Sequence, residues 1–466
     1  MSAPSERGHE KHIINPRQTA PGTERYKTMA YNTSKELRND VIYSVFVRNY
    51  SEEGTFDAVR RDLPRIRALG TDIIWLMPIH PCGVKNRKGS LGSPYAIRDY
   101  RAVNPEFGTA EDFRHLVDAI HDNGMKCIID VVYNHTSPDS VLAKEHPEYF
   151  YHKPDGSFGN RIGDWWDVID LDYSCHDLWK YQIDTLKMWA GEYQVDGFRC
   201  DVAPLVPVAF WKAAREAVEE VHPGCIWLAE TVEPEFISFN RSHGIPCASD
   251  SEIFQAFDIS YAYDIHGIFY DYLTGSKRLK EYADAVNLQE CIYPDNYDKL
   301  RFLENHDQLR AAYMIRDTKA LRSWTAFQYF QKGTVLIYNG QERCADHTPG
   351  LFDRDTISWK GEDITPLLQR LYRIRKEDLS ADCSICLHAE DREILVGIRT
   401  ENADRPAGET GKRAIGIFSL RGETGLLFVK PYEIPDGVYT NLIDDTKVEV
   451  SMGRISVSGE PVIFTV

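Results

Sequence analysis

The sequence predicts an α/β protein: a (β/α)8 barrel of the TIM type with a short inserted loop domain after its third strand, followed by a C-terminal antiparallel β-sandwich domain. Three observations predict it. Continuous apolar runs alternate with amphipathic helical segments closed by glycine, which is the pattern of βα units in a parallel sheet. Eight such runs begin near residues 41, 73, 126, 195, 226, 256, 300 and 334, and eight units suit a closed barrel better than an open sheet. From about residue 380 the texture changes to short alternating runs broken by Gly, Asp, Glu and Pro, the texture of antiparallel strands.

The totals agree with a large domain followed by a smaller one. The chain has 466 residues, 42% hydrophobic and 12% aromatic, too long for one ordinary core and too apolar for disorder. Its 54 basic and 71 acidic residues leave a net charge of −17. That balance argues against nucleic acid or an anionic membrane as partner and suits a neutral one. There is no apolar run of about 18 residues to span a membrane, and the first residues lack the apolar core of a signal peptide. A cytoplasmic protein is expected, with its ten cysteines as reduced, buried thiols. Cys383 and Cys386 form the one close pair; with no second pair nearby they read as ordinary thiols.

Taken in order, residues 1–36 are polar and aperiodic and read as an N-terminal arm. Strand one is Val41–Val47. A helix follows over Phe56–Leu69, with Phe56, Val59, Leu63, Ile66 and Leu69 in 3-4 spacing and Gly70 to end it. Strand two is Ile73–Met77. After a longer loop, the helix Ala110–Asn123 ends at Gly124 and leads to strand three, Lys126–Val132. The insertion 136–177 is irregular and rich in Pro and Gly, with Trp165 and Trp166; a loop of that length on a barrel usually has a function. The alternation resumes with the helix Leu178–Gln194, strand Val195–Cys200, helix Val208–Val221, and strands Ile226–Ala229, Ala256–Ile259 and Leu300–Leu303. It ends with the helix Thr318–Lys332 and strand Thr334–Ile337. The barrel thus covers 37–379 and the sandwich domain 380–466.

Barrel sites are built from polar residues at the strands' C-terminal ends. Strand three supplies Asp130 and then Asn134-His135. Strand four ends in Arg199 and Asp201; residues two apart in a strand share a side, so the cation should keep the carboxylate ionised. Alone, that carboxylate could be a nucleophile, a metal ligand or half of a structural ion pair. Strand five ends on Glu230, a lone carboxylate in apolar company whose pKa desolvation should raise. Strand seven ends on Asn305-His306-Asp307. Four such endings on one barrel are hard to obtain from packing needs alone. One carboxylate paired and one desolvated suggest a nucleophile and a general acid, the pair used in glycosidic cleavage. Trp75, Tyr95, Trp165 and Trp166 could stack on sugar rings.

The stretches Asp130-Val-Val-Tyr-Asn-His135, Gly197-Phe-Arg-Cys-Asp201, the strand-end Glu230 and Phe302-Leu-Glu-Asn-His-Asp307 resemble, in order, the four signature segments of the α-amylase family, glycoside hydrolase family 13. Ser93–Tyr100 and Leu336–Glu342 resemble its loop after strand two and its strand-eight segment. The resemblance implies a retaining hydrolase of α-glucosidic bonds, mainly α-1,4, in maltodextrins. Asp201 would attack, Glu230 would protonate the leaving oxygen, and Asp307 would stabilise the distorted sugar. His135 and His306 would bind that sugar, Arg199 would orient Asp201, and Tyr95 would stack beneath the ring. A transglycosylase, an isomerase or an α-1,6-acting glucosidase on the same scaffold fits these motifs equally. A non-catalytic binding relative fits less well, because all three carboxylates are present. Asn134 and Asp170 match two of the family's calcium-contacting positions. The segment after Asp201 reads Val202-Ala-Pro-Leu205 in place of the family's Lys-His, so a complete metal site is not expected.

Overall fold

The structure is a computed structural model that describes residues 32–162, 165–390, 393–402 and 411–466. Eight strands, β1 (Val41–Val45), β2 (Ile73–Leu76), β3 (Lys126–Val131), β4 (Gly197–Cys200), β5 (Ile226–Ala229), β6 (Ile259–Tyr261), β7 (Lys299–Leu300) and β8 (Val335–Tyr338), pair in the spatial order β8-β1-β2-β3-β4-β5-β6-β7. All of these pairings are parallel, and a further parallel bridge from Arg301 to Val335 joins the two ends into a ring. The strands are apolar because both faces are covered: Ile42, Ile74, Trp75, Ile128, Phe198, Leu228 and Leu336 are all fully buried. β4 starts at Gly197, where the chain adopts φ +157°. A Cβ there would stand 2.1 Å from the carbonyl oxygen of Ile226, so the approach of β5 requires glycine.

Two expected strands are shifted. Residues 256–258 belong to a buried turn after the short helix Asp250–Ile253, and β6 begins only at Ile259. β7 stops at Leu300, and the apolar residues Phe302 and Leu303 are buried in the loop beyond it. Burial without a ladder gives the same apolar run as a strand, which is why the pattern overreached at both places. Helices Pro234–Ser242, Tyr263–Leu273, Leu279–Ile292 and Thr365–Glu377 were not anticipated. In Tyr263–Leu273 the buried Ile265, His266, Phe269 and Tyr272 share one face.

The expected arm is ordered at its C-terminal end. Thr33 donates its hydroxyl to Asp258 at 2.6 Å, and Lys35 pairs with Asp295 and Asp382 at 2.6 and 2.9 Å. The 3-10 helix Lys35–Asn39 then buries Arg38 against the carbonyls of Tyr297 and Ala381. The boundary at residue 36 therefore falls inside packed structure; residues 1–31 of the arm lie outside the described residues. Within the insertion, His135–Thr136 and Ile169–Asp170 form a two-residue antiparallel ladder that anchors the excursion at the mouth of the barrel.

Beyond the barrel, β9 (Cys383–Glu390), β10 (Ile394–Glu401), β11 (Arg413–Ser419), β12 (Gly425–Phe428), β13 (Gly437–Thr440), β14 (Lys447–Ser451), β15 (Arg454–Val457) and β16 (Val462–Thr465) form two antiparallel four-stranded sheets. Their orders are β9-β10-β11-β16 and β12-β15-β14-β13. Ile394, Val396, Ile415 and Ile417 of one sheet meet Leu427, Val448, Val450 and Ile455 of the other in a shared core. Phe418 carries the first sheet onto the barrel, its ring 5.4 Å from those of Phe327 and Phe330. The cysteines are free thiols, but Cys291 and Cys386 are exposed, contrary to the expectation of uniform burial. Among the described residues no helix is long and apolar enough to cross a membrane.

Candidate active site

The site is organised around a buried guanidinium. Arg199 is central to β4, and register sets Asp130 of β3 directly beside it. Its Nη1 donates to both oxygens of Asp130, at 2.9 and 3.1 Å, and to Asp201 Oδ1 at 2.9 Å. Its Nη2 stands 3.0 Å from Glu230 Oε1 outside hydrogen-bond geometry, and Nε reaches the Tyr261 hydroxyl at 3.3 Å. The rings of Trp75, Tyr95 and Tyr261 surround the guanidinium at 5.2, 5.6 and 5.5 Å. Arg199 thus holds three carboxylates rather than the single Asp201 anticipated, and Glu230 is not alone in apolar surroundings. Asp130, expected only as a strand-end residue, joins this cluster together with Tyr261, which the sequence did not single out; the strand ladder that aligns Asp130 with Arg199 is not visible in a linear pattern.

Beyond β4 the chain turns at Val202, which adopts φ +34°, a conformation that is strained for a β-branched residue. The turn aims the Val202 N–H at Glu230 Oε2, 2.7 Å away, while the Glu230 carbonyl accepts from the N–H of Ala203 at 3.1 Å. The ends of β4 and β5 therefore brace one another.

Across the mouth, the Tyr95 hydroxyl meets His306 Nε2 at 2.6 Å and Asp130 Oδ2 at 3.2 Å, with the Tyr95 and His306 rings stacked at 17°. His306 Nε2 also lies 3.0 Å from Asp307 Oδ2. His135 is buried with its ring 5.4 Å from that of Trp165. Tyr95, His135, Asp201, Glu230 and Asp307 line one cleft of about 240 Å³. The five sequence-predicted residues come together there, with Arg199 beneath and His306 behind Tyr95. Trp165 also lines the cleft. Trp75 does not: it is fully buried under Arg199 and cannot meet a ligand. Trp166 does not line the cleft; it is exposed, its ring 5.5 Å from Lys88 Nζ.

Burial dominates the protonation of the two central carboxylates and pushes both upward. Asp201 rises to about 6, burial outweighing the opposing Arg199 charge and hydrogen bond. Glu230 rises further, to about 8; burial again leads, Arg199 opposes it, and the charges of Asp201 and Asp307 add to it. Arg199 thus restrains the rise of Asp201 without cancelling it, a correction to the simple expectation of an ion pair. The difference between the two carboxyls has a structural cause, since Arg199 hydrogen-bonds Asp201 but not Glu230. For Asp307 burial works upward too, but the adjacent His306 wins and leaves it below its ordinary value. Burial lowers His306 while Asp307 raises it, for a net rise. Burial drives His135 down to about 4, leaving it neutral. Near pH 7 the cleft therefore holds an ionised Asp201 beside a protonated Glu230.

Calcium requires six to eight oxygen ligands. Asn134 and Asp170 do line a common wall, and Asp170 Oδ1 is buried without a partner. However, Asp170 Oδ2 accepts the Arg161 N–H at 2.7 Å, and the Arg161 guanidinium donates to the Leu171 carbonyl at 3.2 Å. That cation stands 3.7 Å from Asp170 and 3.8 Å from Asp172. A positive charge built into the wall repels a second one. Among the described residues no three His, Cys, Asp or Glu side chains gather to hold an ion. The Arg161 cation beside Asp170 disfavours a second cation at these residues.

Comparison with known proteins agrees with this geometry. The model of the alpha amylase catalytic domain matches residues 33–380, and that of the bacterial alpha amylase C-terminal domain matches 386–464. A crystal structure of an alpha-amylase from Lactobacillus plantarum superposes with a TM-score of 0.87 at 47% identity, covering 93% of this chain and 100% of that one. A noncanonic maltogenic alpha-amylase from Thermotoga neapolitana gives 0.80 at 34% identity, covering 92% and 99%. Among curated proteins, the alpha-1,4-glucan:maltose-1-phosphate maltosyltransferase of Rhodospirillum rubrum is 37% identical over 85% of this chain and 60% of its own length. The corresponding enzyme of Pseudomonas aeruginosa is 29% identical over 77% and 57%. The chain spans about half the length of the curated relatives it matches.

Proposed function

The chain belongs to the α-amylase family, glycoside hydrolase family 13, and on that premise we propose that it hydrolyses α-glucosidic bonds, mainly α-1,4, in maltodextrins through a covalent glycosyl-enzyme. Asp201 attacks the anomeric carbon as its carboxylate, and Glu230 delivers its proton to the departing glycosidic oxygen. Water then takes a place near Glu230, which accepts a proton from it as the Asp201–sugar ester breaks; the configuration is retained after two inversions. Tyr95 offers a ring face to the sugar. His135 and Asp307 bind its hydroxyls, and His306, hydrogen-bonded to both Tyr95 and Asp307, holds them in position. Arg199 hydrogen-bonds Asp201 through Nη1 and stands 3.0 Å from Glu230 through Nη2, so one cation lies against both central carboxylates. This keeps them close, as the separation of about 5–5.5 Å in retaining enzymes requires, rather than the wider gap of inverting ones.

The observation that carries this reading is the split between Asp201, at about 6, and Glu230, at about 8, on a shared guanidinium. It leaves one carboxylate to attack and one acid to donate at the same pH. A second reading, transfer of the glycosyl group to another sugar in place of water, is favoured by the maltosyltransferase names of the curated relatives. It differs only in which acceptor reaches the intermediate. Incubation with maltoheptaose tests both: shorter maltodextrins and glucose support hydrolysis. Chains longer than the substrate, or maltosyl phosphate when phosphate is added, support transfer.

A further inference from the structure

Three loops that are far apart in sequence meet at one end of the cleft. Lys88, in the loop after β2, places its Nζ 2.8 Å from Asp167 Oδ1 of the insertion. Asp167 is buried, and the same Nζ lies 5.7 Å from the ring of Phe352 in the loop after β8. The junction is tightly fixed. Ser90 donates its N–H and hydroxyl to Asp353 Oδ1 at 2.8 and 2.5 Å, and the Leu91 N–H donates to the Phe352 carbonyl at 3.0 Å. Gly89 sits at φ +64° with Phe352 so close that a Cβ would come within 2.6 Å of it. Arg48 ties the seam from beneath, donating to the carbonyls of Gly92 and Leu351 at 2.9 Å each. Lys88, Asp167 and Phe352 all line the cleft that holds Asp201 and Glu230.

The barrel order shows which end is blocked. β8 and β2 flank β1, which lies diametrically across the ring from β5, the strand that carries Glu230. The leaving group departs on the side of the acid, so a wall made by the loops of β2 and β8 faces the sugar that stays attached to Asp201. We propose that the Lys88–Asp167 pair, wedged against Phe352, closes the glycone end of the cleft, so that the enzyme works inward from the non-reducing end of an α-glucan and takes a short glycone of fixed length. This rests on the assignment of Asp201 and Glu230 above.

Maltoheptaose carrying a chromophore on its reducing end tests it. The first labelled products of the wild type should be the chain shortened by one fixed, small number of glucose units. The variant K88A/D167N removes the pair without leaving a buried charge. In that variant, shown to be folded by circular dichroism, the ratio of interior to end cuts should rise by about tenfold or more, whereas K88R should keep the wild-type pattern. Scattered interior cuts by the wild type, or an unchanged pattern in the folded K88A/D167N protein, overturn the wall while leaving the hydrolytic reading intact. An absence of any action on α-glucans overturns that reading and the wall with it.

Discussion

The backbone N–H of Val202 donates to Glu230 Oε2 at 2.7 Å, so the residue directly after Asp201 fixes the carboxyl on the neighbouring strand. Two acidic groups with different affinities for a proton are thereby held in one rigid frame. The activity consequence is a bell. kcat/KM should fall on the acid side as Asp201 is protonated near 6, and on the alkaline side as Glu230 is ionised near 8; both limbs are properties of the coupled pair. Maltosyl fluoride, whose leaving group needs no proton, should keep the acid limb and lose most of the alkaline one. Equal alkaline limbs for the fluoride and for a maltodextrin would disprove the assignment of Glu230 as acid.

Asp201→Asn keeps the volume of the side chain and removes the attacking charge. Turnover should fall by about 10⁴-fold or more. Arg199 retains Asp130 as a bidentate partner, so the variant should fold and melt within a few degrees of the wild type. Steady-state kinetics alongside thermal unfolding decide this, and near-normal turnover in the variant contradicts the mechanism.

Glu230→Gln separates stability from catalysis. Glu230 holds its proton more tightly in the folded protein, at about 8, than at the ordinary value of 4.5. As the pH rises above 4.5 the carboxyl ionises freely in the unfolded chain while the folded chain keeps it protonated, and this favours unfolding. The effect is absent below about pH 4.5 and grows as the pH rises towards 8. The variant should match the wild type near pH 4.5 and melt at least about 2 °C higher at pH 8, while turnover of maltodextrins collapses. A variant that melts lower at pH 8 than at pH 4.5, relative to wild type, would reverse the sign and refute the argument.

How much of this was legible beforehand follows from how local each signal is. A carboxylate closing an apolar run can be read directly, so Asp201 and Glu230 stood out, and Asp307 followed from its place in the Asn-His-Asp triplet. The sharing of Arg199 was hidden because it depends on register: Asp130 lies opposite Arg199 only once β3 and β4 are paired. Lys88 and Asp167 meet through the folding of two loops with no periodicity, which leaves no linear trace. β6 and β7 were displaced because Phe257, Phe302 and Leu303 are buried without joining the ladder. Trp75 read as a candidate sugar platform because composition cannot tell an aromatic under the site from one inside it.

Arg161 makes a metal prediction. Its guanidinium stands 3.7 Å from Asp170 Oδ2 and 4.5 Å from the centre of the Tyr151 ring, holding the base of the insertion as a divalent ion would. EDTA should leave both activity and melting temperature unchanged, and added calcium should raise neither. Arg161→Ala should lower the melting temperature, reflecting a loss of about 1–3 kcal/mol from a charged hydrogen-bond network. A fall of about 10 °C in EDTA would show that an ion is bound after all, being several kcal/mol by the usual conversion.

Val202 supplies the last test, because it couples strain to function. Its φ of +34° costs roughly 1–2 kcal/mol for a residue with a Cβ, a cost that glycine does not bear. Val202→Gly therefore relieves strain in the folded state, although the freer unfolded chain gives back part of the gain. The expected result is a melting temperature equal to or slightly above that of the wild type. The same change loosens the turn that aims the N–H at Glu230, so the hydrogen bond is made a smaller fraction of the time. Since that bond lowers the pKa of Glu230, its weakening should move the alkaline limb of the pH profile upward while kcat falls several-fold. A stabilised variant with an unmoved alkaline limb would mean that the turn holds the backbone alone and does not tune the acid.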